Sequence, residues 1–287
     1  MLNQNIPKVG LYLDALAALT SHHSPGDRLY PVLKSVAQED FQQVFGEFGP
    51  CEAVFSDIGN IKLPYFRMGT VDSVNLFDLD ELIIFTFYRK NKGHYRRVAD
   101  IGANIGLHTI MLAKLGYHVT SYEPDPIHNA KLVENLAINK IENVNVVQAA
   151  VSDSADEREF IRILGNTTGS HLAGAKSSPY GEQEKFDVTV LNFKQLIGNI
   201  DLVKLDAEGE ESRILCVTDH ADWLNMDAVV EVGTEENAAS IFSHFQHIQI
   251  NLFSQKHNWL QVRSLADMPF SYRDGSLFIS NKPGMPW

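Results

Sequence analysis

Cysteine is nearly absent. Cys51 and Cys216 are the only two in 287 residues, they stand far apart, and they match no metal-binding or redox spacing. A disulfide framework is excluded, and a reducing, cytoplasmic compartment with two free thiols is expected. Positive charge is also scarce: 24 Lys and Arg face 36 Asp and Glu, a formal net charge of −12. Such a field repels phosphate backbones and argues against nucleic acid as a partner. The densest basic run, residues 89–97, carries no interleaved aromatics beyond Tyr95 and reads as a solvated connector. No apolar stretch approaches the roughly 20 residues of a membrane helix, so no span is expected. Residues 10–19 are mildly apolar but broken by Asp14, which suits a soluble amphipathic helix and not a signal peptide.

What is present is 44% apolar residues, enough for a full core. Residues 1–94 read as an N-terminal α+β extension. Within it, Leu33, Ala37, Phe41 and Phe45 recur at four-residue steps on one helix face. A hairpin is expected around a turn at residues 57–60, with a second arm over 61–66 that Pro64 confines to an edge. A helix over 79–88 opens on Asp80 and Glu81 and closes on Arg89 and Lys90, as the helix dipole favours. This third is expected to cap the main domain or to join copies of the chain in a homo-oligomer. From residue 95 to 287, strand and helix patterns alternate. That predicts an α/β, doubly wound, mostly parallel seven-stranded sheet of Rossmann-like type with helices on both faces. Residues 160–164 and 186–191 look like an extra strand pair around a loop at 165–183 that is rich in Gly, Ser, Thr and Ala.

The alternation begins at Val98-Ala99-Asp100-Ile101-Gly102-Ala103-Asn104-Ile105-Gly106, which reads as strand, tight turn and helix start. Gly102 tolerates a backbone conformation that a Cβ penalises, and Gly106 lets the helix approach the sheet. The helix N-terminus favours a carboxylate or phosphate. Glu123 closes the second strand, where an acid accepts from ribose hydroxyls. A dinucleotide needs a middle glycine for its pyrophosphate, and Asn104 stands in that region. Asp100 adds a negative charge that suits an ammonium. Ribose on Glu123, ammonium near Asp100 and carboxylate at the 102–106 turn together describe S-adenosylmethionine. An NAD-type oxidoreductase on a similar sheet, and a non-catalytic cofactor-binding module, are the alternatives.

Four blocks in order, 100–106 with its two glycines, Tyr122-Glu123-Pro124, Gln148 to Asp153, and Val203 to Gly209, resemble the FkbM family of S-adenosylmethionine-dependent methyltransferases. The resemblance runs from about residue 79 to 231. It implies a class I methyltransferase fold, transfer to oxygen, often on sugars or other secondary metabolites, and Ala150 and Val151 flanking the adenine. Ala207 stands where a bulkier β-branched residue is common.

The chemistry is expected at the end of the fourth strand. Asp206 is the candidate base or acceptor-orienting carboxylate, since an aliphatic hydroxyl needs help losing its proton. Period two puts Lys204 on the same side. Glu231 ends the neighbouring fifth strand, and the two are read as tuning Asp206. Glu208 is expected near the acceptor or capping the next helix. His108 and His171 are further acceptor-side candidates, the latter on a loop that could close over it. Three carboxylates could hold Mg²⁺, but no His joins them and no metal is expected. The acceptor is expected to be a small polar molecule or glycan.

Overall fold

The computed structural model describes residues 9–176 and 181–287. Part of the loop expected over 165–183 therefore lies outside the described residues. The main sheet comprises β1 (Arg97–Ile101), β2 (His118–Tyr122), β3 (Val144–Val147), β4 (Leu202–Leu205), β5 (Asp227–Glu231), β6 (Asn251–Ser254), β7 (Leu260–Gln261) and β8 (Ser276–Ser280). Their spatial order is β7-β6-β8-β5-β4-β1-β2-β3. The five strands from β5 to β3 pair in parallel, and β8, β6 and β7 add antiparallel at one side. Seven strands were expected; the two residues of β7 make a short eighth at the edge.

The strand order reverses between β1 and β4, and open α/β sheets bind ligands beyond the carboxyl ends at such a point. Gly102 follows β1 and Asp206 follows β4, so the two expected motifs meet there. Parallel register sets Lys204 beside Asp100 and Leu205 beside Ile101. Among the described residues no helix is long and apolar enough to cross a membrane.

Three helices frame the ligand side: α1 (Leu79–Lys90), α2 (Leu107–Lys114) and α3 (Pro126–Ile138). The α1 helix is capped by Asp78, whose Oδ1 accepts from the Leu79 amide at 2.8 Å. Every residue from Leu82 to Tyr88 is buried. A helix apolar all round must be covered on all sides. Phe85 meets His108 of α2, and Phe87 meets Phe278 of β8, with centroids 4.8 and 5.5 Å apart. Outside α1, the expected face of Tyr30–Phe45 buries Ala37, Phe41 and Phe45. Phe41, Phe45, Phe55 and Phe77 cluster with centroids 4.3 to 6.5 Å apart, each such pair adding about 0.5–1.5 kcal/mol beyond burial. The hairpin pairs Glu52–Phe55 with Gly59–Lys62. Its second arm starts earlier than expected because Gly59, at φ +90°, carries the turn into the ladder, and it stops before Pro64.

A smaller four-stranded sheet contains the expected pair as Asp156–Ile163 and Gln183–Asn192, flanked by His171–Leu172 and Ala150–Ser152. Arg162 ties it to the main domain. Its guanidinium donates twice to Asp125, at 2.6 and 2.7 Å, and both residues are buried. Asp125 in turn caps α3 by accepting from Ile127 at 2.8 Å.

Candidate active site

The turn after β1 is shaped by contact with β4. The amides of Gly102 and Ala103 both donate to the Tyr122 carbonyl, and the Asp206 amide donates to Ile101. Gly102 has φ +74°, and a Cβ there would lie 1.7 Å from the Asp206 carbonyl oxygen. Only glycine fits. Gly106, at φ +90°, packs on Leu132 of α3, where a Cβ would come within 2.8 Å of Cγ. Asn104 takes φ +52° and donates its amide to Glu123 Oε2 at 2.8 Å, while the Ile105 amide donates to the Asn104 side chain. Glu123 Oε1 accepts from the Asp125 amide at 2.9 Å. The acid at the end of β2 is thereby fixed to both flanking turns.

A cavity of about 670 Å³ opens above these groups, within the usual range for small-molecule sites. Gly102, Asn104 and Glu123 line it, with Ala150 and Val151 of the small sheet. Asp206, Glu208, Glu231 and His171 line it as well. Three expected cofactor residues sit behind its wall. Asp100 is fully buried on the face of β1 that Val98 shares, and its Oδ2 accepts from Thr109 of α2 at 2.6 Å. It was expected beside a ligand ammonium; strand alternation turns it toward α2 instead. Ala103 and Gly106 are likewise internal to the turn.

A second, small chamber of about 30 Å³ adjoins the first. Asp206 and Glu231 line both. Lys204 and His108 reach only the second, together with Asp80 and Glu81 of α1. Lys204 Nζ donates to the Gly102 carbonyl at 3.1 Å and stands 3.7 Å from Asp206 Oδ2 and 3.9 Å from Asp100 Oδ1. His108 Nε2 is 2.7 Å from Glu81 Oε2, and its Nδ1 is 3.0 Å from the Tyr88 hydroxyl. Glu208 does not cap the helix that follows, which has no side-chain cap; Glu211 instead braces the preceding turn by accepting from the Ala207 and Gly209 amides. Glu208, at φ +50°, turns to pair with Lys176 across the cavity. His171 is buried, with Nδ1 3.0 Å from the Gly169 carbonyl. Sequence reasoning missed Glu81, because an acid pair opening a helix is explained by the dipole alone. Among the described residues no group of three or more His, Cys, Asp or Glu is arranged to hold a metal ion.

A family model described as the methyltransferase FkbM domain matches residues 100–259. The chain belongs to the FkbM methyltransferase family. It is 30% identical over 166 residues to the 31-O-demethyl-FK506 methyltransferase FkbM of Streptomyces tacrolimicus, a match covering 46% of this chain and 63% of that relative. Solved structures similar to it include the METTL16 MTase domain in a second crystal form, with 14% identity, TM-score 0.44, and coverage of 94% of this chain and 81% of that one. Another is precorrin-6y C5,15-methyltransferase from Geobacter metallireducens GS-15, with 12% identity, TM-score 0.38, and coverage of 68% and 85%. The chain spans 63% of the Streptomyces relative's length; its FkbM domain has the class I methyltransferase fold, and the cofactor of that family is S-adenosylmethionine. The dinucleotide alternative is set aside.

The cavity of this FkbM-family chain fits that cofactor. Each Glu123 carboxylate oxygen accepts one backbone N–H and keeps a further lone pair for a ribose hydroxyl. Burial pushes the Glu123 carboxyl up to about 8, against the opposing pull of the Asp125 and Asn104 amides. The catalytic end is more crowded. Burial acts to lower the Lys204 ammonium, but Asp206 and Asp100, then Glu81 and Glu231, outweigh it and hold it above its usual value. Burial, then the charges of Asp206, Glu81 and Glu208, push Glu231 well above the ordinary carboxylate range. Glu208 rises to about 7 through burial and Asp206, with Lys176 pulling the other way.

A stability prediction follows for Glu231. Its folded pKa lies above its ordinary 4.5, so its contribution is intact below that value and lost as pH rises toward the folded pKa. Glutamine does not titrate. Glu231→Gln is therefore expected to melt higher than the parent, with a gap that widens from pH ~5 to pH ~8 to several degrees. Thermal melts at the two pH values check this; parallel curves would contradict it.

Proposed function

We propose that this chain methylates a hydroxyl oxygen of a small polar acceptor, a sugar or glycan-linked group, with Asp206 as base or acceptor-orienting carboxylate. The observation that carries the reading is that Asp206 directly follows β4 and lines both chambers, beside Lys204 and Glu231. The relative whose printed name specifies a 31-O-demethyl substrate supports oxygen as the atom methylated. The carboxyl oxygens of Asp206 and Glu208 present acceptors to hydroxyl donors, and the Asp206 charge disfavours an anionic acceptor.

S-adenosylmethionine supplies a methyl group already activated on its sulfonium. Glu123 would hold its ribose, Ala150 and Val151 would flank its adenine, and the 102–106 turn would receive its carboxylate. Asp100 serves as a buried counter-charge to Lys204. Asp206 takes the hydroxyl proton at its carboxylate as the acceptor oxygen becomes nucleophilic. Lys204 sets a positive charge 3.7 Å from that carboxylate. Glu231, held protonated, offers an O–H that orients the acceptor. In this division residues 1–94 are the extension and 95–287 the methyl-transfer domain, and α1 brings Glu81 to the shared chamber.

The test is a panel of neutral glycans and nucleotide sugars incubated with S-adenosylmethionine, with product analysis by mass spectrometry and NMR. O-methylated sugar is the expected product; a methyl on nitrogen or carbon would overturn the reading. A second expectation concerns pH. Ribose hydroxyls donate better to an ionised carboxylate, so binding below pH 8 must expel the Glu123 proton. Affinity for S-adenosylhomocysteine should rise with pH up to about 8, by at most about tenfold per unit. Titration calorimetry in buffers of different ionisation heat checks both slope and proton release. Glu123→Gln should lose the part that belongs to this residue.

A further inference from the structure

We infer that residues 66–76 form a strap across the cofactor end of the cavity, and that Gly69 is the positioning residue that lets it close. This rests on the reading that the cavity holds S-adenosylmethionine. Arg67–Met68 and Val71–Asp72 pair as a tight hairpin, closed at its base by the Ser73 amide donating to the Phe66 carbonyl. The hairpin tip is stitched to a segment far away in sequence. Gly69 bridges antiparallel to Asn166, and the Thr70 amide donates to the Gly165 carbonyl at 2.8 Å. A Cβ on Gly69, where φ is +86°, would lie 2.3 Å from that same carbonyl oxygen. The stitch therefore exists only because residue 69 has no side chain.

Residues next to both halves of the stitch line the cavity. Val71, Asp72 and Leu76 line the cavity from one side, and Thr167 and Thr168 from the other. His128 joins them at the Glu123 end. It lies on the first turn of α3, edge-on to Phe66 with centroids 6.4 Å apart, and its Nε2 is 2.9 Å from Thr167 Oγ1. Asp125, one turn earlier, is the residue whose amide holds Glu123. The strap thus crosses the chain's own ribose-binding acid, and a nucleoside seated on Glu123 leaves only when the 69–166 stitch parts. Its role is to set the residence of the nucleoside, through dissociation more than association.

The experiment measures dissociation of S-adenosylhomocysteine from the full chain by stopped-flow displacement, for the parent, Gly69→Ala and Gly116→Ala. Gly116 has φ +94° and open space around it, so its alanine variant carries the same backbone strain without the clash. Gly69→Ala is expected to release the ligand about tenfold faster or more, with Gly116→Ala matching the parent. In the parent, S-adenosylhomocysteine should also slow hydrogen exchange at the Thr70 amide, a readout that stands even if Gly69→Ala does not fold. Equal release from the two variants, or unchanged exchange at Thr70, overturns the strap alone. A parent that does not bind S-adenosylhomocysteine overturns the cavity reading and the strap with it.

Discussion

Asp206→Asn is expected to lower kcat by about 10²- to 10⁴-fold, the usual worth of a positioned base, while S-adenosylhomocysteine binds as in the parent. Asparagine keeps the size of the side chain and a carbonyl acceptor but cannot take a proton. The backbone contacts of residue 206, its amide on Ile101 and its carbonyl against Gly102, do not involve the side chain, so the turn survives. A second readout comes from the neighbours. The Asp206 charge helps raise both Glu208 and Glu231, so its removal should shift the residual pH–rate profile to lower pH. Full turnover in the variant would remove Asp206 from the chemistry and leave the fold untouched.

Lys204→Met is expected to be the most destabilising single change in the site, by about 3–5 kcal/mol, as for other broken buried ion pairs. Methionine fills the space of the lysine stem. It leaves Asp100, which is fully buried and whose Oδ1 has no hydrogen-bond partner, without its nearest cation. Asp206 and Glu81 lose the same counter-charge. For a chain of this length the melting temperature should fall on the order of 10 °C. Adding Asp100→Asn should recover part of the loss, because the stranded carboxylate is then neutral. A double-mutant cycle over the four chains measures that coupling. Strict additivity would mean that the two side chains do not support one another.

The parallel part of the sheet and the ligand turn were readable because each depends on local pattern. Val98 to Gly106 states its own turn through two glycines, and Glu123 ends a strand in plain view. Lys204 and Asp206 share a side through period two alone. What escaped depends on distance. Glu81 reaches the chamber only because α1 is wedged between the sheet and the N-terminal helices, and no periodicity within residues 79–90 distinguishes that from an ordinary dipole-matched helix start. Asp100 was read from its position before the turn, but alternation along β1 points it at Thr109. Glu208 does not cap the next helix because a positive φ, which nothing in the local pattern announces, swings its side chain toward Lys176. The stitch of Gly69 and Thr70 to Gly165 and Asn166 joins two segments that look like unrelated glycine-bearing turns.

The α1 helix has a further consequence for how the chain is made. Its apolar surface is finished by Phe278 of β8 and by Trp287, whose rings lie 5.5 and 5.8 Å from Phe87, and both are translated long after α1. Until β8 is translated, the nascent polypeptide carries a greasy cylinder whose cover is incomplete. Such a segment is a natural client for holding chaperones, and any chain terminated before β8 keeps that cylinder exposed for good.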